Sequence, residues 1–350
     1  MAAAIGLDIG SSAVRAVQLS RSKSGFSLER LGQVLLPPGA VVDGTIEDAA
    51  AVVESLQILV SRFGFKGRKV ALGLANQQVI VRRVDLPLLP PEGFKDNLRL
   101  QAVDHLPVPL DQVQFDYEFV EEFSNDDGTR MMRVLLVAAD TAMVTKTLET
   151  VKAAKLKPVL LDLDAFAQVR SLRDPGASAE RFGPGAGGGE MIVNIGSHLT
   201  NITVHAAGIP RFVRTISRGG EGITDSLSAA FDLPWAQAET VKSVLPGPAS
   251  PYGPLLNERI AGLIDEIRNS VDYYRTEPGG VSIQRVVLTG GSSLIPDLDA
   301  RLANTLSIDV EHGRPFRTAH IGALTLPPSD IEAAQPFFAV AMGLAMEILR

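Results

Sequence analysis

The sequence predicts an α/β protein of two similar lobes, and three observations carry that reading. Ile5 to Leu19 is an apolar strand, a tight turn at Gly10-Ser11-Ser12 and a return strand alternating through Val14, Ala16 and Gln18. Met191 to Gly208 repeats the design, so that Asp8-Ile9-Gly10-Ser11 and Asn194-Ile195-Gly196-Ser197 are near-copies. Their separation is far longer than the period of a stacked repeat, which points to two related domains. Between the copies, residues 174–189 are rich in Gly, Pro, Ala and Ser and read as a linker. At 350 residues the chain is also long enough for more than one core.

The first domain is expected over 1–173. Inside it, 69–157 has its own grammar and reads as an inserted α+β unit. It opens with strands at Val70 to Leu74 and Val79 to Leu86, followed by a helix near Asp96 to Leu106. A strand at Phe115 to Glu121, a polar turn at Asn125-Asp126-Asp127-Gly128, a strand at Met131 to Ala138 and a helix from Thr141 to Ala154 complete it. A helix over Asp162 to Leu172 then leads to the linker; Asp162 and Asp164 before its apolar face read as caps. The second domain is expected over 190–334, with a long helix from Leu255 to about Glu277 whose stripe is Ile260, Leu263, Ile264, Ile267 and Val271. Residues 335–350 form an apolar closing helix whose most apolar stretch, Pro336 to Leu349, is about two-thirds of the roughly 20 residues that span a bilayer, so it reads as a buried element.

Composition removes several function classes. Lys and Arg number 33 against 40 Asp and Glu, with no basic run, so a nucleic-acid surface is not expected. The absence of cysteine excludes disulfides, thiolate metal sites and thiol nucleophiles, and suits a reducing compartment. No secretory signal precedes Gly10, so a cytoplasmic protein is expected. No His-Glu-x-x-His pair, Walker loop or Gly-x-Ser-x-Gly elbow occurs, and the sequence assigns no catalytic residue.

The Gly-Ser turns carry the chemistry that remains. Small residues let backbone N–H groups approach an oxyanion, and the hydroxyls of Ser11 and Ser12 add donors. Asp8, at the end of the incoming strand, is placed to hold Mg²⁺ through water. A second hairpin would grip a polyphosphate from the other side. Val286 to Pro296 supplies a third element, a buried strand ending in a Gly290-Gly291 turn that opens a helix. His198, on the second turn, reads as solvated surface.

These three motifs in this order resemble the actin-like ATPase superfamily, a two-domain ribonuclease H-like fold. The segments VIVRRVDLP (Val79 to Pro87), LPVPLDQVQFDYEFV (Leu106 to Val120), VLLVAAD (Val134 to Asp140), SRGGEGITDSL (Ser217 to Leu227) and AETVKSVL (Ala238 to Leu245) are similar to the PilM family. PilM shares with FtsA the inserted subdomain called SHS2 or 1C. The resemblance implies ATP or ADP between the lobes, with Asp8, Gly10, Ser11 and Ser12 in the first phosphate loop and Gly196 and Ser197 in the second. Gly290, Gly291 and Ser292 would border the adenosine. Glu239 and Lys242 would reach its ribose or base, unless they form a solvated ion pair. Ala339 and Gly343 would let the lobes approach at a hinge. Two positions depart from the superfamily: Arg15 stands where Lys is usual, a bulkier planar donor at the phosphates. Asn194 replaces Asp, which weakens the implied Mg²⁺ site and puts hydrolysis in doubt.

The function implied is a nucleotide-binding scaffold of a type IV pilus or related assembly machine, at most a slow ATPase. It would sit at the inner face of the cell membrane through partners, with no span of its own. Those partners are a PilN-like inner-membrane protein, whose short cytoplasmic tail docks beside the inserted subdomain, and other machine components; a homo-oligomer stays open. Two alternatives use the same fold. An FtsA-like division protein that polymerises at the membrane is expected to carry an amphipathic anchor after a flexible extension, and none follows Arg350. A small-molecule kinase needs a substrate-side general base that the sequence does not offer.

Overall fold

The computed structural model describes every residue except 1, 2, 23, 24, 91, 93, 174–187, 245–249, 278, 279, 323 and 325. The first lobe opens with β1 (Ala3–Ile9), β2 (Ala13–Ser22) and β3 (Gly25–Leu35), an antiparallel meander. A small hairpin of β4 (Val41–Val42) and β5 (Thr45–Ile46) leads into α1 (Ala49–Arg62), whose N-terminus is capped by Asp48 accepting from the Ala51 N–H at 3.0 Å. β6 (Lys69–Leu74) then pairs parallel with β1, Ile5 opposite Val70. Both strands are apolar without alternation because both faces are covered. Ile5, Leu7, Val70 and Leu72 pack toward α1, while Gly6 lies under the closing helix.

The inserted unit is a separate sheet of β7 (Ile80–Pro87), β8 (Val113–Ser124) and β9 (Arg130–Asp140) in the order β7-β9-β8, covered by α2 (Phe94–Ala102). Leu98, Ala102, Leu86, Met132, Val134 and Leu136 form its own core. This unit is narrower than the expected 69–157. β6 belongs to the main sheet, and α3 (Thr141–Ala153) contributes Val151 to the core shared with α1. The reason is pairing: Val70 and Leu72 find their hydrogen-bonding and apolar partners on β1, not on β7.

β10 (Lys157–Leu163) pairs parallel with β6 at the sheet edge, and α4 (Asp164–Leu172) follows immediately. The expected helix start at Asp162 is therefore two residues early, because Asp162 is still paired beside Gly73. Residues 174–187 of the expected linker lie outside the described residues. Gly188 and Gly189 already belong to the next strand, opposite Ser282 and Ile283.

The second lobe repeats the first. β11 (Gly188–Ile195), β12 (Thr200–Ala206) and β13 (Ile209–Ile216) form a meander, followed by α5 (Gly220–Phe231), α6 (Trp235–Val244) and the long α7 (Gly253–Thr276). The predicted stripe Ile260, Leu263, Ile264, Ile267 and Val271 is buried against this sheet. β14 (Ser282–Thr289), α8 (Leu298–Leu306) and β15 (Asp309–His312) complete it. The sheet orders are β10-β6-β1-β2-β3, extended beyond β3 by β16 (Ala319–Ile321), and β13-β12-β11-β14-β15. Read from the meander outward they are the same arrangement, so the motif echo reflects two copies of one topology.

The chain returns to the first lobe earlier than residue 335. β16 (Ala319–Ile321) pairs parallel with β3, and Phe316 joins Val17, Leu19 and Leu28 in the first lobe's core. α9 (Pro328–Ala334), a one-turn 3-10 helix (Gln335–Phe337) and α10 (Ala339–Ile348) follow. α10 is buried on β1 and against α4, and Arg21 Nε donates to the Leu349 carbonyl at 2.7 Å. Among the described residues no single helix is long and apolar enough to cross a membrane, and α9 and α10 are bent by 88° at their junction.

Candidate functional site

The C-terminal ends of β1, β6, β10, β11 and β14 converge on one cleft between the lobes. In parallel sheets this is where the following turns leave room for a ligand. The cleft has a volume of about 840 Å³ and brings together Asp8, Gly10, Ser11, Ser12, Arg15, Asn194, Gly196, Ser197, Glu239, Lys242, Gly290, Gly291 and Ser292. The sequence-predicted residues thus line one cavity from three directions.

The two hairpin turns are closed alike. The Gly10 N–H donates to the Ala13 carbonyl at 3.0 Å, and the Gly196 N–H to the Leu199 carbonyl at 2.8 Å. The third turn locks onto the second: Ser292 Oγ donates to the Gly196 carbonyl at 2.9 Å. Gly290 has φ of 87°, and a Cβ there would lie 2.7 Å from the Ile195 carbonyl carbon. Both conformation and space demand glycine. α5 docks beside them, its Gly220 N–H donating to the Gly196 carbonyl at 3.0 Å and its Glu221 N–H to Ser197 at 2.9 Å.

Two carboxylates face this cradle. Asp8 stands opposite Arg15 in the β1–β2 register, with Arg15 Nη1 3.8 Å from Asp8 Oδ2. Burial raises the Asp8 carboxyl above its usual range, opposed by the Arg15 charge. Asp164, the first residue of α4, is buried, and its Oδ1 has no hydrogen-bond partner among the described residues. Burial pushes it well up, and the charges of Asp8 and Asp162 add to the rise. It fits only because position 73 is glycine: a Cβ there would lie 3.2 Å from Asp164 Cγ and closer still to Oδ1. A buried, partnerless carboxylate beside a second one is chemically matched to a hydrated divalent cation. Asn194, which lines the same cleft from the second lobe, brings no charge.

On the second lobe, Lys242 is 7% exposed and Glu239 41%. Lys242 Nζ donates to Glu239 Oε2 at 2.7 Å, to Thr224 Oγ1 at 2.9 Å and to the Gly220 carbonyl at 3.1 Å. All three ammonium protons are thereby engaged within the protein. Lys242 orients Glu239, and Glu239 is the member of the pair that presents itself to the cleft.

A family model for the type IV pilus assembly protein PilM matches residues 6–349. The chain belongs to the PilM family. A solved PilM-PilN type IV pilus biogenesis complex matches with a TM-score of 0.86 at 26% identity, over 99% of this chain and 98% of that one. Two more distant structures show the fold alone. They are the ethanolamine utilization protein EutJ from Carboxydothermus hydrogenoformans (TM-score 0.58, 14% identity, 99% and 90% covered) and MreB5 of Spiroplasma citri bound to AMPPNP (0.51, 14%, 99% and 96%). The fold is the actin-like one that the PilM motifs imply.

Within this PilM-family chain, four sequence readings change. Asp164 is no cap: Leu163 holds the cap position and no side chain caps the helix, because Asp164 turns into the cleft. Asp162 instead accepts from the Leu163 N–H at 2.7 Å and pairs with Arg170. His198 is not solvated surface, since its Nε2 lies 2.9 Å from Glu221 Oε2, which also accepts from Ser197 Oγ. Lys242 is buried rather than in a solvated pair. Phe337, read as part of the apolar closing helix, precedes it and lines the cleft. Gln33 is a site residue with no sequence signal at all; it accepts from Arg15 Nε at 2.7 Å only because β3 brings it opposite Arg15.

Proposed function

We propose that this chain is a nucleotide-binding scaffold of a type IV pilus assembly machine, taking ATP or ADP between its lobes and a PilN-type cytoplasmic tail beside the inserted sheet. The observation that carries the first part is the convergence of three glycine-bearing turns and two carboxylates on one cleft. The hydroxyls of Ser11 and Ser12 donate to phosphates from the first lobe, the Gly196-Ser197 turn closes on them from the second, and Arg15 supplies the cation. Asp8 and Asp164 are the residues that would hold Mg²⁺ through its waters; the ion would neutralise phosphate charge. With Asn194 in the third position, hydrolysis is slow, and the output is a shift in lobe closure rather than turnover.

The tail reading is supported by two unpaired strand edges, β8 of the inserted sheet and β10 of the first. An extended peptide can add to either. Between them Glu118 of β8, raised by partial burial, stands near Arg350, Asp162, Glu347 and Arg170, and since the two arginines pair with Asp162 and Glu347, Glu118 is the carboxylate left over. A cationic tail suits that groove. Such a tail would bring the chain to the inner face of the membrane through its partner.

Isothermal titration with ATP and ADP, with and without Mg²⁺, and with the cytoplasmic-tail peptide of the PilN encoded by the same genome, tests both parts. Saturable binding of a nucleotide and of the peptide at separate sites is expected. No heat with either nucleotide removes the first part; a peptide that binds unchanged after Glu118→Lys removes the groove.

A further inference from the structure

Arg15 is held from three sides. Its Nε donates to Gln33 Oε1 at 2.7 Å, its Nη1 lies 3.8 Å from Asp8 Oδ2, and its guanidinium stands over the Phe337 ring at 5.6 Å from the centroid. A Cβ on Gly10 would come 3.4 Å from Nη1, so the charged end rests directly against the first phosphate turn. Among the described residues Nη2 donates no hydrogen bond, and it belongs to a side chain that lines the cleft. Arginine over an aromatic face at such a distance is attracted by the ring quadrupole, more so when both are shielded from water.

The ring bridges the lobes: it packs on the first-lobe core around Val17 and Leu28 and is held from the second lobe as well. Phe337 ends the one-turn helix Gln335–Phe337, and the Pro336 carbonyl accepts from the Gly290 N–H at 2.8 Å and from Thr289 Oγ1 at 2.9 Å. The ring packs so closely on the third turn that a Cβ on Gly291 would lie 2.9 Å from Phe337 Cε1. A first-lobe cation therefore rests on a ring that is tied to the second-lobe turn as well as to its own lobe.

We propose that Phe337 is the positioning residue for Arg15: its ring, docked between Arg15 and Gly291, aims the free edge of the guanidinium at the phosphates and makes that aim depend on the relative position of the lobes. This rests on the nucleotide reading above and adds to it a residue that discriminates by phosphate rather than by adenosine.

The test is titration calorimetry on the full chain with ATP and with adenosine, for Phe337→Leu, Phe337→Tyr, Arg15→Lys and the Arg15→Lys/Phe337→Leu double variant. Loss of the ring face is expected to weaken ATP binding by about 3- to 10-fold and adenosine binding by less than about 2-fold, while Phe337→Tyr stays near the wild type. In the Arg15→Lys background, adding Phe337→Leu is expected to cost less than about 2-fold more, because the two residues act as one unit. Should the leucine variant fail to fold, Phe337→Met gives the same readout. Multiplying effects in the double variant, an equal loss for adenosine, or a tyrosine variant as weak as leucine each overturns the proposal while leaving nucleotide binding intact. A wild-type chain that binds no ATP overturns the nucleotide reading and this inference with it.

Discussion

Gly343→Ala sets two effects of opposite sign against each other. In a helix interior alanine is favoured over glycine by about 1 kcal/mol, so propensity alone predicts a more stable protein. The tertiary contact predicts the reverse. A Cβ at Gly343 would lie 2.9 Å from Ala167 Cα, 2.5 Å from its carbonyl carbon and nearer still to its oxygen, where ordinary contact begins at 3.4 Å. Relieving this requires α10 and α4 to separate by about 1 Å, against an interior packed as densely as a crystal. The separation strains the bonds from Arg170 Nη1 to the Gly343 carbonyl at 2.8 Å and from Ser171 Oγ to the Ala339 carbonyl at 2.7 Å. Overpacking costs about 1–3 kcal/mol, and weakening a charged and a neutral hydrogen bond about 1–3 more. After subtracting the propensity gain, a net loss of about 1–5 kcal/mol remains. For a lobe of this size that lowers the melting temperature by about 2–20 °C. Differential scanning calorimetry of the wild type and the variant decides it. A melting temperature unchanged or raised would refute the close approach of the two helices.

The buried carboxylates give a pH signature. The folded Asp164 pKa lies above its unfolded value, so its contribution is complete below about pH 4 and is lost as pH rises through the folded pKa. Asp164→Asn should therefore melt higher than the wild type at neutral pH, with the gap closing on acidification, while losing Mg²⁺-dependent nucleotide affinity; thermal melts across pH check it, and a gap that widens in acid contradicts it. His205 shifts the other way. Burial first, then the charges of Arg285 and Arg173, lower it to about 4 from 6.5. Stability should fall as pH drops from 6.5 to about 4, by up to about 3 kcal/mol, and His205→Asn should flatten that slope in urea titrations. Lys242→Met should weaken nucleotide binding through disorder of Glu239 and lower stability by about 1–3 kcal/mol, since Glu239 keeps partial access to water; equal affinity in the variant would detach this pair from the site.

The sequence by itself determined the parts whose physics is local. A Gly-Ser turn between alternating strands closes on its own hydrogen bond, which is why both hairpins, the Gly290-Gly291 turn and the buried stripe of α7 were legible from residue order. The polar turn at Asn125 to Gly128 is of the same kind, closed by the Gly128 N–H donating to the Asn125 carbonyl at 3.0 Å. What only the tertiary structure decided is which surfaces meet. Val70 to Leu74 has the pattern of any buried strand, and only the parallel partner at Ile5 to Leu7 assigns it to the main sheet. Asp164 has the sequence signature of a helix cap, but the space opened by Gly73 turns it into the cleft as a partnerless acid. Phe337 looks like one more apolar residue before an apolar helix, and becomes part of the site because Pro336 is bonded to one lobe while Arg15 reaches from the other. Turn chemistry is written within a few residues of chain, whereas the burial of a charge depends on groups hundreds of residues apart.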